Sequence, residues 1–225
     1  GDLTHYKILS SLADTDKPII LSTGLSSMTE VENAVSYIDK CNASYVRNRK
    51  LALLHCTSSY PTPDEDANLA VIETLKREFD LPVGYSDHTI GSEAIEAAVA
   101  MGAEIIEKHF TDTREGKTFR DHLIALTKCE VKKSLAKMSR ISSFRGLNEK
   151  KLTKSEFDSG HHISFRRSIY LARDIRAGSK ISEEDLTVLR PMHGVCASEY
   201  DQIIGKIALR DLSAGEPLQR QDFQG

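Results

Sequence analysis

Leu51-Ala52-Leu53-Leu54-His55-Cys56-Thr57-Ser58 decides the reading of this chain. Four apolar residues in a row suit a strand buried on both faces, and the run stops abruptly at side chains that can carry chemistry. The same grammar occurs three more times. Pro18-Ile19-Ile20-Leu21 is followed by Ser22-Thr23-Gly24, Leu81-Pro82-Val83-Gly84 by Ser86-Asp87-His88, and Ala103-Glu104-Ile105-Ile106 by Glu107-Lys108-His109. Helical patterns fill the gaps: Ser27 to about Ile38, opened by the capping box Ser27-Met28-Thr29-Glu30, then Asp64 to about Phe79, and Ser92 to about Met101. Strand, helix, strand at short spacing predicts a parallel sheet with its reactive residues at the carboxyl ends, where α/β folds build their sites. Four such units suit a small open sheet, or part of a (β/α)8 barrel whose other units lie outside these residues.

Beyond this region the pattern changes. From about Ser139 to His162 the sequence turns polar and charged, which predicts a linker. An internal repeat follows: Arg173-Asp174-Ile175-Arg176-Ala177-Gly178 with Asp185-Leu186 returns as Arg210-Asp211-Leu212-Ser213-Ala214-Gly215 with Asp222-Phe223. Turns of this kind between short apolar stretches predict a β-rich module of about 60 residues with two related halves. The expected division is 1–145, a linker over 146–163, and the module over 164–225.

Composition narrows the function. The 225 residues carry a formal net charge of -3 with acids and bases interspersed, which gives no electrostatic footprint for nucleic acid or an anionic membrane. No apolar run approaches the roughly 20 residues that a membrane span requires. Cys41, Cys56, Cys129 and Cys196 are widely spaced with no CxxC pair, which predicts reduced thiols and a cytoplasmic location. Small-molecule chemistry is the expectation that remains.

Several residues are candidates for it. His88 and His109 each follow a strand closely, and two neutral imidazoles meeting at one mouth can hold a divalent metal with positions left for substrate oxygen; histidines bonded only within the mouth would look the same. Glu107 and Asp121 are carboxylates suited to proton transfer or to gripping sugar hydroxyls, and equally to solvated surface charge. Ser22, Thr57, Ser58 and Ser86 can donate to a phosphate, as can any loop hydroxyl. Tyr60-Pro61-Thr62-Pro63 is a stiff turn, and Arg190 precedes another at Pro191.

Taken together, Leu21-Ser22-Thr23-Gly24, His55-Cys56-Thr57-Ser58-Ser59-Tyr60-Pro61-Thr62-Pro63, Gly84-Tyr85-Ser86-Asp87-His88-Thr89 and Glu107-Lys108-His109-Phe110-Thr111 resemble, in order and spacing, the N-acetylneuraminate (sialic acid) synthase family. The stretch from Arg167-Ser168 through Arg190-Pro191 to Gly205-Lys206 resembles that family's antifreeze-like SAF domain. The resemblance implies the C-terminal portion of a (β/α)8 TIM barrel followed by a small β-rich SAF (β-clip) domain. It implies condensation of phosphoenolpyruvate with an N-acetylhexosamine, usually N-acetylmannosamine, to a nine-carbon 2-keto acid with release of phosphate. A divalent metal, manganese or else magnesium, and a domain-swapped homodimer come with it.

Residue by residue, the resemblance implies His88 and His109 as metal ligands, Ser22, Ser58 and Ser86 as phosphoenolpyruvate contacts, Glu107 and Asp121 as the site carboxylates, and Tyr60, Asp121 and Arg190 as sugar contacts. Two departures open the choice of acceptor. Phe119-Arg120-Asp121-His122 stands where the family has a Gly-Pro-Asp-His-like run, and Ser58 replaces a common Asn, a variation shared with pseudaminic and legionaminic acid synthases. The family's N-terminal half, with its phosphate-binding lysines, has no counterpart in these residues, so the chain is expected to be inactive alone. Two further readings are a non-catalytic binding or oligomerisation fragment and a metal-dependent aldolase on the same barrel, the latter without an explanation for the repeat.

Overall fold

The computed structural model describes all residues, 1–225, and the chain divides into two compact units, Gly1–Leu147 and Asn148–Gly225. The first opens with α1 (Tyr6–Ala13) and then builds β1 (Ile19–Ser22), α2 (Met28–Cys41), the single turn α3 (Ser44–Arg47) and β2 (Leu51–Cys56). It continues with α4 (Val71–Glu78), β3 (Val83–Asp87), α5 (Glu93–Ala100) and β4 (Ile106–Lys108). The four strands form one parallel sheet in the order β1-β2-β3-β4, with Leu21 opposite Leu53, Leu53 opposite Val83 and Tyr85 opposite Ile106. This is a curled half-barrel, as the family resemblance implies.

The period of two along each strand sorts side chains to opposite faces. Ile19, Leu21, Leu51, Leu53, Val83 and Tyr85 turn toward α2, α4 and α5 and join one core with Ala34, Ile38, Ile72, Leu75, Ile95 and Ala98. Burying each such large side chain contributes about 1.5–3 kcal/mol. The other face carries the alternate residues, and on it Ile20 is 57% exposed although it sits mid-strand. That face is the inner wall of the barrel arc.

Local chemistry explains the boundaries. α2 starts at the expected capping box: Glu30 Oε2 accepts from Ser27 N at 2.7 Å, and Ser27 Oγ accepts from Glu30 N. The helix expected from Asp64 is instead a 3-10 turn, Asp64–Asp66, separated from α4 by Asn68 in the left-handed region at φ 45°. One residue there ends a right-handed helix, and Asn tolerates the conformation better than most. β4 starts at Ile106 rather than Ala103, although Glu104 N already donates to Val83 O at 2.8 Å.

After β4 come β5 (Phe110–Thr111), the short α6 (Asp121–Ile124), β6 (Leu126–Thr127), parallel to β5, and α7 (Lys128–Arg145). α7 runs through Ser139–Arg145, where the sequence predicts linker. Thr127 and Glu130 cap its start reciprocally, Arg114 clamps the same Glu130 carboxylate, and the helix packs along α5, with Ile141, Phe144 and Arg145 beside Glu96, Ala97 and Ala100. Within residues 146–163 lie α8 (Lys154–Asp158) and most of α9 (His161–Ser164), both in the second unit.

The second unit is built from β7 (Ser168–Leu171), antiparallel to β8 (Leu186–Leu189), the single turn α10 (Tyr200–Ile203), and β9 (Ile207–Ala208), antiparallel to β10 (Phe223–Gln224). Its repeat is a structural one. Ile175 N donates to Leu212 O and Leu212 N to Ile175 O, while Ala177 N donates to Asp211 Oδ1 at 2.7 Å and Ala214 N to Asp174 Oδ1 at 2.8 Å. Arg173 pairs with Asp185 as Arg210 pairs with Asp222, and Gly178 and Gly215 both turn at φ 82°, a conformation that excludes most side chains. Ile169, Leu171, Ile175, Ile181, Leu186, Ile203, Leu212 and Leu218 fill the core between the halves.

Candidate active site at the carboxyl ends of the strands

Alternation on β3 and β4 turns Ser86, His88, Glu107 and His109 to the inner face, and the register places Ser86 directly opposite Glu107. Ser86 Oγ donates to Glu107 Oε1 at 2.9 Å, which orients an otherwise exposed carboxylate. One rung further out, the rings of His88 and His109 stand 5.2 Å apart, edge to face. Tyr60 covers them, 4.1 Å from His88 and 5.9 Å from His109, centroid to centroid. Asp121 Oδ2 lies 3.6 Å from His109 Nδ1. Two metal candidates, a carboxylate, a hydroxyl and two sugar-contact candidates thus share one mouth.

His88 is held from behind. Its Nδ1 donates to Thr57 O at 2.9 Å, which leaves Nε2 with its lone pair free. Burial pushes the imidazole down, but the bonds to Cys56 and Thr57 outweigh it and leave its pKa above the ordinary value. Cys56 Sγ lies 3.8 Å from the same Nδ1, and although burial pushes the thiol up, hydrogen bonds from His88 and Ser86 bring it below its usual range. Tyr60 is pushed up, first by burial and then by the negative charge of Cys56 and Asp121.

The donor set suits a divalent cation. Two imidazoles with ring centroids 5.2 Å apart, one with its tautomer fixed by a carbonyl, are the donor types of a site that leaves coordination positions to oxygen ligands. No group of three or more His, Cys, Asp or Glu side chains is gathered to hold a metal, so the chain has no closed structural site of the zinc-finger kind.

Other expectations meet the structure differently. Ser58 lies 4.0 Å from Cys56 on the inner side of β2, and a Cβ at Gly24 would fall 2.3 Å from its Oγ, so a side chain at 24 would push the Ser58 hydroxyl out of its present position. Ser22 ends β1, two strands away from Ser86, and its hydroxyl makes no hydrogen bond in the chain. His55 and Thr57 are not in the mouth. His55 points under α4, bonded to Ala67 O at 2.8 Å and lowered in pKa by burial, and Thr57 Oγ1 donates to Asp66 O. Arg190 is exposed in the second unit, with Nε donating to Phe165 O at 2.8 Å. Arg120, not among the candidates, lies over the Tyr60 ring at 4.8 Å, and its Nε is 3.7 Å from Asp121 Oδ1. Asp121 Oδ1 is buried without a hydrogen-bond partner.

Comparison with known proteins settles the relationship. The NeuB family profile matches residues 1–150 and the SAF domain profile residues 166–224. The chain belongs to the NeuB family. An N,N'-diacetyllegionaminic acid synthase from Legionella pneumophila is 39% identical over 97% of this chain and 60% of its own length. A pseudaminic acid synthase from Campylobacter jejuni is 35% identical over 95% and 60%. The crystal structure of an N-acetylneuraminic acid (sialic acid) synthetase from Leptospira borgpetersenii, in complex with citrate, superposes with a TM-score of 0.65 at 38% identity, over 72% of this chain and 54% of that one. The NeuB-family chain spans about three fifths of the length of the curated relatives it matches.

The four free cysteines stay apart, and no helix is long and apolar enough to cross a membrane.

Proposed function

We propose that the protein condenses phosphoenolpyruvate with an N-acetylated hexosamine, N-acetylmannosamine in the first reading, to a nine-carbon 2-keto sugar acid and phosphate. The observation that carries this is the inner-face quartet of Ser86, Glu107, His88 and His109 under Tyr60 and Asp121, in a family whose relatives are named for such acids. A divalent cation, manganese or magnesium, held by His88 and His109 would supply Lewis-acid polarisation of the acceptor aldehyde.

The remaining steps fall to the side chains. Tyr60 and Asp121 hold the sugar, and Asp121 Oδ1 has an acceptor lone pair to offer a hydroxyl or acetamido N–H. A new bond joins C3 of phosphoenolpyruvate to the aldehyde carbon as the enol π bond opens. The aldehyde oxygen becomes a hydroxyl with a proton from solvent, to which Glu107 returns, at the end of the cycle, the proton it takes from the attacking water. Positive charge at C2 is met by water, whose proton passes to Glu107, oriented for this by Ser86. The tetrahedral C2 then collapses to the ketone as its C–O bond to phosphate breaks, and the proton leaves with the phosphate. Ser22 and Ser58 contribute hydrogen bonds to phosphoenolpyruvate, Ser86 can do so only when its single proton turns from Glu107 to the substrate, and Arg190 reaches the barrel of the other subunit in a domain-swapped homodimer.

A second reading has a specific observation in its favour. Arg120 over Tyr60 adds a planar donor beside the sugar site, and Ser58 shortens the neighbouring loop side chain; both favour an acceptor with a second acetamido carbonyl, as in a legionaminic- or pseudaminic-type synthase. The test is manganese-dependent phosphate release from phosphoenolpyruvate by the full-length encoded protein with N-acetylmannosamine and with 2,4-diacetamido hexoses. Release with one class only, abolished in His88→Ala, supports the synthase and names its acceptor. No release with any sugar refutes it in favour of a binding fragment.

A further inference from the structure

Asp87 lies between Ser86 and His88, and Lys108 between Glu107 and His109, yet neither faces the mouth. Alternation turns both to the helix side, where the two side chains are 0% and 6% exposed and Lys108 Nζ donates to Asp87 Oδ2 at 2.7 Å. Both charges have further partners: Lys108 Nζ also donates to Thr89 O at 2.6 Å, while Asp87 Oδ1 accepts from Thr89 N at 2.9 Å and from the Tyr85 hydroxyl at 3.1 Å. Stability is a weak reason for such an arrangement, because the desolvation of two charges offsets most of their attraction.

Its consequence is geometric. Asp87 and Lys108 are register partners on β3 and β4, so the ion pair crosses the ladder at the last rung before the two histidines. The bonds to Thr89 N and O fix the turn on the far side of His88. A slip of one residue between the strands would move His109 by about 3.3 Å and turn it to the opposite face.

Resting on the metal reading above, we propose that Asp87 and Lys108 are a positioning pair for the two-imidazole site, holding His88 and His109 at the separation at which both reach one cation. Neither touches the ion or the substrate; they act through the strand ends.

The test compares wild type, Asp87→Asn/Lys108→Met and His88→Ala in the full-length protein, reading Mn2+ affinity by electron paramagnetic resonance, the visible absorption of bound Co2+, and the melting temperature. The double variant buries a neutral pair, so it is expected to melt near wild type, to bind Mn2+ about ten- to a hundredfold more weakly, and to shift the Co2+ bands. Unchanged Mn2+ affinity with an unchanged Co2+ spectrum would overturn the positioning role, whatever happens to melting. Absence of Mn2+ binding in wild type would instead overturn the metal reading itself. Should the double variant not fold, Tyr85→Phe removes one bond to Asp87 and keeps both charges; a severalfold loss of Mn2+ affinity supports the proposal, and none refutes it.

Discussion

Ser86 and Glu107 face each other across the β3–β4 ladder with 2.9 Å between hydroxyl and carboxylate, so a buried serine aims an exposed acid. If Glu107 takes the proton of the attacking water, Glu107→Gln in the full-length protein lowers kcat by about 10²–10⁴. Because the side chain is exposed, the melting temperature should stay within about a degree. Steady-state kinetics beside calorimetry checks both; a loss of folding instead of kcat would contradict the assignment.

Gly24→Ala places a methyl 2.3 Å from Ser58 Oγ, and the hydroxyl can rotate away. The expected outcome is a fold that remains stable and a KM for phosphoenolpyruvate raised several-fold, with the KM for the sugar unmoved. Equal changes in both constants would remove Ser58 from the phosphoenolpyruvate site.

Glu130 tests acid stability. Its bidentate partner Arg114, then the Thr127 cap, hold its carboxyl down at about 2 against an ordinary 4.5. A depressed folded-state pKa contributes stability above about 4.5 that is lost as pH falls toward 2. Urea midpoints should therefore fall less steeply over that window in Glu130→Gln than in wild type, from a lower starting value at pH 7. The carboxylate is partly open to solvent, so the effect is a modest one.

Asp222 is fully buried and accepts from Arg210 Nε and Gln219 N, both at 2.8 Å. Asp222→Ala strands these donors and should cost the second unit about 1–3 kcal/mol. The equivalent Asp185→Ala should behave alike, since Asp185 accepts from Arg173 and Ser182 N. Denaturation of the pair checks whether the two halves of the repeat are energetic equivalents.

Much of the site was legible because it obeys local rules. An apolar run that ends in Ser86-Asp87-His88 or Glu107-Lys108-His109 marks a strand end, and a period of two puts 86 with 88 and 107 with 109. What went unread depends on partners distant in sequence. His55 and Thr57 sit in a motif as reactive as any other, and only β2's facing, with α4 above it, sends them away from the mouth. Arg120 became part of the site through a ring 60 positions earlier, and α7 outran its apolar pattern where Ile141, Phe144 and Arg145 lie beside α5.

The sequence by itself determined the parallel order of strands and helices and the reactive residues at the strand ends, because strand periodicity and capping chemistry are written within a few residues; the half-barrel, the SAF unit and the family followed from the resemblance of its motifs to a known family. Tertiary structure alone decided the β3–β4 register, the burial of Asp87 against Lys108, and the 5.2 Å approach of His88 and His109. Those depend on which side chains lose water together, and desolvation is a property of the packed sheet rather than of any stretch of chain.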